Sequence, residues 1–205
     1  MKPKKIGLIF GTYNPIHVGH LIIANHFAEF SDLEEVWLVV TPHNPHKNRN
    51  TLLEDSHRLA MVRIAVEDYP KLTASNIEFD LSQPNYTVNT LAVLEEKYPE
   101  HSFSLIMGED NLKSLHKWKN YEVILERHPI YVYPRVTPPL IPPQGGNTPK
   151  KNIVFLEGGR VFKIDAPIIQ ISSTFIRKSI ASRKSIRPLL PQNVWEYLDE
   201  MNFYR

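Results

Sequence analysis

The chain contains no cysteine. That removes a disulfide framework and any thiolate metal site, and nothing points to export through an oxidising compartment. Long apolar runs are missing too. No stretch approaches the ~20 apolar residues of a membrane-spanning helix, and the basic start MKPKKIGLIF carries an apolar run too short for a signal peptide. Nor does charge of one sign dominate. The 24 Lys+Arg against 22 Asp+Glu leave a net charge of +2, so no broad field favours nucleic acid or an anionic membrane, and any anion must be held locally. No internal repeat is visible. These absences lead us to expect a soluble, cytoplasmic protein with neither nucleic acid nor membrane as partner. At 205 residues the chain is long enough for a single domain, 1–205, with a substantial core.

Alternating elements fill that length. Lys5 to Phe10 and Glu35 to Val40 read as buried strands, and His17 to Phe30 carries Leu21, Ile22, Ala24, Phe27 and Ala28 at helical spacing. Asp55 to Tyr69 reads as an amphipathic helix through Leu59, Met61, Val62, Ile64 and Ala65. Further strands are expected at Leu72 to Phe79, Phe103 to Met107, Ile130 to Tyr133, Ile153 to Leu156 and Val161 to Ile164, the last two flanking a turn at Gly158 and Gly159. Helices are expected at Thr87 to Tyr98, Asn111 to His116, Tyr121 to Glu126 and Ser172 to Ala181, with Pro191 opening a last one. The pattern predicts an α/β fold, a Rossmann-like doubly wound parallel sheet with a small helical C-terminal part from about residue 172. A proline- and glycine-rich stretch at about 136–151 reads as a surface excursion.

The chemistry concentrates in GTYNPIHVGH, Gly11 to His20, directly after the first strand. In doubly wound sheets the first strand-to-helix turn is the usual phosphate site. His17 and His20, at an i,i+3 spacing, would face the same way at a helix N-terminus whose free N–H groups attract anions. Gly11 and Gly19 would let backbone or ligand approach closely. Zinc is the rival, because His43 and His46 repeat the spacing and four imidazoles could bind it. Against zinc, that second pair lies between prolines beside Lys47 and Arg49, whose charges repel a cation and attract an anion. There is also no HExxH and no acidic cluster. A phosphate chain is the better ligand, with no metal held by the protein itself.

GTYNPIHVGH resembles the (T/H)xGH signature of the nucleotidylyltransferase superfamily, and ISSTFIR, Ile171 to Arg177, resembles its second signature, ISSTxxR. Within it the chain is similar to nicotinate mononucleotide adenylyltransferases over nearly its whole length. PHNPHK, DSHRLAM, NYTVNTL and MGEDNLKSLHKWKNYEVIL carry this narrower match. The resemblance implies adenylyl transfer from ATP, with Mg2+ arriving on its phosphates, to nicotinate mononucleotide. The alternatives are a transferase acting on nicotinamide mononucleotide or phosphopantetheine, or a non-catalytic nucleotide- or metal-binding module.

By the same resemblance, His17 and His20 would be catalytic and would bind the ATP phosphates beside Gly11 and Thr12. Ile171, Ser172, Ser173, Thr174 and Arg177 would hold the β- and γ-phosphates at a second helix N-terminus. Gly108 would admit the adenosine and Asp110 would meet a ribose hydroxyl, although a simple helix cap explains Asp110 equally well. Lys47, assisted by His46, would meet the mononucleotide phosphate. Tyr86 and Thr87 would read the nicotinate carboxylate, and Trp118 would stack on its ring or else pack as core or lid. Arg58 has the commoner reading of a helix-surface charge. Glu109 departs from the family, which more often has a small residue there, and the 136–151 stretch is longer than the family leads one to expect. Since members differ in oligomeric state, a homo-oligomer is compatible with the resemblance.

Overall fold

In EVWLVV every residue after the first is apolar, so a strand made of it has no face for water and must lie inside a sheet covered on both sides. The computed structural model of the protein places it there. The structure describes residues 2–42, 52–134, 152–156, 159–167 and 169–205. Its strands are β1 (Lys4–Gly11), β2 (Glu35–Val40), β3 (Leu72–Ser75), β4 (His101–Gly108), β5 (Ile130–Tyr133), β6 (Asn152–Leu156) and β7 (Gly159–Lys163). They form one sheet in the order β3-β2-β1-β4-β5-β7-β6. All neighbours pair parallel except β6, which runs antiparallel to β7 at the edge.

The helices are α1 (Val18–Phe30), α2 (Asp55–Val66), α3 (Thr87–Lys97), α4 (Glu109–Ser114), α5 (Tyr121–Arg127), α6 (Ser173–Ala181) and α7 (Gln192–Glu200). Strand alternation divides the buried residues into two cores. Val36, Leu38 and Val40 of β2 face the core built with α1, α2 and the C-terminal residues Ile176, Val194 and Leu198. Trp37 and Val39 face the opposite core with Leu91 and Leu94 of α3 and Ile124 of α5. Helices on both faces of a mostly parallel sheet make this the expected doubly wound, Rossmann-like α/β fold.

Two boundaries differ from the sequence reading by three residues or more. The third strand stops at Ser75 instead of Phe79, because residues 77–80 turn, with the Phe79 N–H bonded to the Asn76 carbonyl at 2.9 Å and Glu78 tucked inside at 2 % exposure. The second helix ends at Val66 instead of Tyr69, since Pro70 can neither donate to a helix nor tolerate a helical residue before it. The strand order reverses at β1, whose neighbours are β2 and β4. Such a switch point leaves a crevice at the carboxyl ends of the strands, and here those ends are Gly11 and Gly108.

Candidate active site

His17 caps α1, and His20 stands at its third residue, so one turn of helix sets their relation. The two form a reciprocal capping box in which the His17 N–H donates to His20 Nδ1 at 3.2 Å. Their rings stack with centroids 3.7 Å apart, and Tyr13 meets the His20 ring edge-on at 5.1 Å. With Nδ1 accepting, the neutral His20 ring carries its proton on Nε2, which is thereby a donor. His17 is buried and His20 half-buried. In the first turn the His20 N–H bonds the His17 carbonyl at 2.9 Å, so the N–H groups of Val18 and Gly19 precede any intrahelical acceptor and face the crevice end of the helix.

The glycines serve packing more directly than the sequence suggests. A Cβ on Gly11 would lie 2.9 Å from the ring of Tyr13, and one on Gly19 would lie 2.8 Å from Ile169 and 3.0 Å from the His17 ring. The room they leave is taken by side chains that shape the turn. Tyr13 folds back at φ 45°, buried, with its hydroxyl donating to the Ile9 carbonyl at 2.7 Å.

The second signature lies against the first. Ser172 caps α6 by accepting from the Phe175 N–H at 3.2 Å. Ser173 donates its hydroxyl proton to the Pro15 carbonyl at 2.8 Å, and Arg177 donates to the Asn14 carbonyl at 2.8 Å and to Thr174 Oγ1 at 3.3 Å. Ile171 packs half-buried on the first core. The fold thus brings residues separated by 158 and 163 positions into direct contact, and two helix N-termini, α1 and α6, meet at one loop. Ser173 keeps only its backbone N–H for a ligand, since its hydroxyl proton is committed to Pro15.

On the other side of the crevice Gly108 ends β4 and is the N-cap residue of α4, so Asp110 lies exposed in the first helical turn rather than at the cap position. Glu109, unexplained in the sequence, has its carboxylate 3.6 Å from the Lys163 ammonium of β7. Tyr86 caps α3 from an exposed position with the Lys119 ammonium 4.4 Å from its ring centroid. The first N–H groups of that helix to find acceptors inside it belong to Asn89 and Thr90, which leaves those of Thr87 and Val88 pointing out of its end. Trp118 is half-buried against the second core. His43, His46 and Lys47 lie outside the described residues, as do Gly158 and the 136–151 stretch.

Arg58 overturns its reading as a surface charge. It is 0 % exposed and donates to the carbonyls of Thr12 at 2.5 Å, Thr41 at 2.9 Å and Leu53 at 3.1 Å, besides pairing with Asp55. Its position four residues before the buried Val62, on the apolar face of α2, was the one signal of this in the sequence. Sequence reasoning also passed over Glu78. This buried carboxylate accepts from Thr90 Oγ1 at 2.8 Å, and burial pushes it above the usual glutamate range against the pull of Thr90, Thr41 and Asn85. A third residue missed is Asn14, whose Oδ1 accepts from the Leu53 N–H at 3.3 Å and from the Tyr204 hydroxyl.

Among the described residues no group of three or more His, Cys, Asp or Glu side chains is placed to hold a metal. No helix among them is long and apolar enough to cross a membrane.

Comparison with known proteins identifies a family and a shared fold. The model of the cytidylyltransferase-like family matches residues 8–179. A probable nicotinate-nucleotide adenylyltransferase of Christiangramia forsetii is 62% identical over 98% of this chain and 99% of its own, and one of Bacteroides fragilis is 42% identical over 96% and 92%. In three dimensions, a Plasmodium falciparum nicotinic acid mononucleotide adenylyltransferase complexed with NaAD superimposes with a TM-score of 0.72 at 18% identity, covering 98% of this chain and 97% of the other.

Proposed function

The chain belongs to the cytidylyltransferase-like family, and on that footing we propose that it transfers the adenylyl group of ATP to the phosphate of nicotinate mononucleotide. The products are nicotinate adenine dinucleotide, a precursor of NAD, and pyrophosphate. The observation that carries this reading is the meeting of two helix N-termini, α1 with His17 and His20 and α6 with Ser172, joined by the Ser173 and Arg177 contacts to Pro15 and Asn14. Two anion-binding ends converging on one loop suit a polyphosphate better than a single phosphate. Relatives 62% and 42% identical over nearly the whole chain carry the name of this activity. We take residues 1–205 as one nucleotidylyltransferase domain.

No covalent intermediate is needed. An oxygen of the acceptor phosphate attacks the α-phosphorus of ATP, a P–O bond to it forms, and the bond from the α-phosphorus to the bridging oxygen breaks, pyrophosphate leaving with the electron pair. The protein's part is positioning and stabilisation of charge on the α-phosphate oxygens. His20 Nε2–H donates there, its tautomer held by the His17 N–H. His17, Gly11, Thr12 and the N–H groups of Val18 and Gly19 line the same turn. Ser172, Ser173, Thr174 and Arg177 receive the β- and γ-phosphates as they become pyrophosphate, and Ile171 fixes their helix to the core. Gly108 and Asp110 face the adenosine.

Lys47 and His46 serve the acceptor phosphate. The N–H groups of Thr87 and Val88, with Tyr86, read the carboxylate of the mononucleotide, because N–H donors with no acceptor beside them favour an acid, which only accepts, over an amide, whose NH2 must donate. Trp118 stacks on the ring. Magnesium fits this donor set as an ion carried by ATP, because such ions lean on substrate phosphates and few protein carboxylates. It would neutralise phosphate charge when bound.

The test is pyrophosphate release from ATP and Mg2+ with nicotinate mononucleotide, nicotinamide mononucleotide and phosphopantetheine offered separately. We expect strong preference for the first. Preference for either of the others would refute the assignment of the acceptor.

A further inference from the structure

Thr41 and Leu53 flank residues 42–52, the segment that carries His46 and Lys47, and both are fastened by main-chain groups of each kind. The Thr41 N–H donates to the Gly11 carbonyl at 2.9 Å and its own carbonyl accepts from Arg58 at 2.9 Å. Leu53 donates its N–H to Asn14 Oδ1 at 3.3 Å and its carbonyl accepts from Arg58 at 3.1 Å. The same guanidinium reaches the Thr12 carbonyl at 2.5 Å. One wholly buried fork therefore binds both stems of the segment and the turn proposed to hold ATP.

We infer that Arg58 is a positioning residue that fixes the Thr41 and Leu53 stems against the Thr12 turn, and so holds both ends of the segment that carries Lys47 in register with the turn proposed to hold ATP. This deepens the proposed function and rests on it for the role of Lys47. The chemistry demands arginine. A guanidinium presents donors in a planar fork, and here Nε serves Leu53, one terminal nitrogen serves Thr12 and Thr41, and the other serves Asp55. A lysine carries one nitrogen and cannot span three carbonyls from separate segments. Burying a cation this deeply is tolerated only with full satisfaction of its donors. The partners are carbonyls whose positions the function needs fixed, not a second buried charge, since Asp55 is itself about one-third exposed, at 35%.

The experiment compares wild type, Arg58→Lys, Asp55→Asn and Met61→Ala. Met61 is a fully buried core residue of the same helix, so its truncation lowers stability without touching the carbonyls. Asp55→Asn removes the ion pair but leaves the three carbonyl contacts. Two readouts are taken at temperatures equally far below each variant's melting point: KM for nicotinate mononucleotide against KM for ATP, and the rate of tryptic cleavage after Lys47 and Arg49.

In Arg58→Lys the mononucleotide KM should rise roughly tenfold, clearly more than that for ATP, and cleavage should accelerate by a similar factor. Asp55→Asn should stay near wild type in both, and Met61→Ala should show neither change once matched for stability. The inference is overturned if Arg58→Lys behaves like Met61→Ala in either readout, or if Asp55→Asn reproduces the lysine effect. Should Arg58→Lys not fold, Asn14→Ala takes its place: it removes the Leu53 N–H bond of the same stem, so cleavage after Lys47 and Arg49 should accelerate, and an unchanged rate overturns the inference. A wild type inactive on nicotinate mononucleotide would instead defeat the proposed function, while the cleavage rates would still decide whether Arg58 pins the stems.

Discussion

Glu78 shows what a single buried residue contributes. Its carboxyl lies 2 % exposed between the end of β2 and the start of α3, and burial holds it above the ordinary value of 4.5. The folded chain therefore binds that proton more tightly than the unfolded chain. Glu78 then lowers stability as pH rises from 4.5 through its elevated value, and its contribution is most favourable below that window. Glu78→Gln, uncharged at all pH, should lose this slope, so its melting temperature relative to wild type should climb as pH rises above 4.5 and level off once the buried carboxyl has ionised. A difference that stays flat would contradict the placement. Glu78 was not legible in the sequence and Arg58 only through its place on the apolar face of α2, because the groups that satisfy them lie elsewhere in the chain, Thr90 for one and Thr12 and Thr41 for the other. His17 and His20 were legible because their relation is local, one helical turn.

At the scale of elements, α6 is the helix end that the proposed function assigns to the β- and γ-phosphates of ATP. Ser172 accepts from the Phe175 N–H, and Ser172→Ala should lower stability in urea titration by about 1 kcal/mol, the usual cost of an N-cap serine. The same variant should raise KM for ATP while leaving KM for the mononucleotide near wild type. An unchanged ATP KM would detach that helix end from the phosphates.

Elements with strong local signals were read closely from the sequence. Ile130 to Tyr133 is β5 to the residue, and Ser172 marks the start of α6. Errors came where local signals were silent. Helix α4 begins at Glu109, two residues before the expected Asn111, because Gly108 at its N-cap offers no side-chain signal. Helix α2 is the exception: it stops three residues early, at Val66, although Pro70 is a local signal that limits what precedes it.

For the whole molecule, the parallel sheet followed from alternating strand and helix signals, but its strand order did not. The placement of β7 beside β5 with β6 outside it depends on pairing that no periodicity encodes. The C-terminus is likewise tied to the site from a distance of 190 residues, with the Tyr204 hydroxyl on Asn14 Oδ1. Tyr204→Phe leaves that oxygen its bond from Leu53, so thermal unfolding should show a loss of only about 1 kcal/mol. A loss several times larger would mean that the tail holds more of the first turn in place than this one bond.

On the proposed function the stacked imidazoles of His17 and His20 act on the reacting phosphate. The most direct measurement is kcat and ATP affinity of His20→Ala with nicotinate mononucleotide as acceptor. Loss of a donor that stabilises the transition state should lower kcat roughly a hundredfold or more, with ATP binding changed far less. A variant that turns over near the wild-type rate would contradict the account.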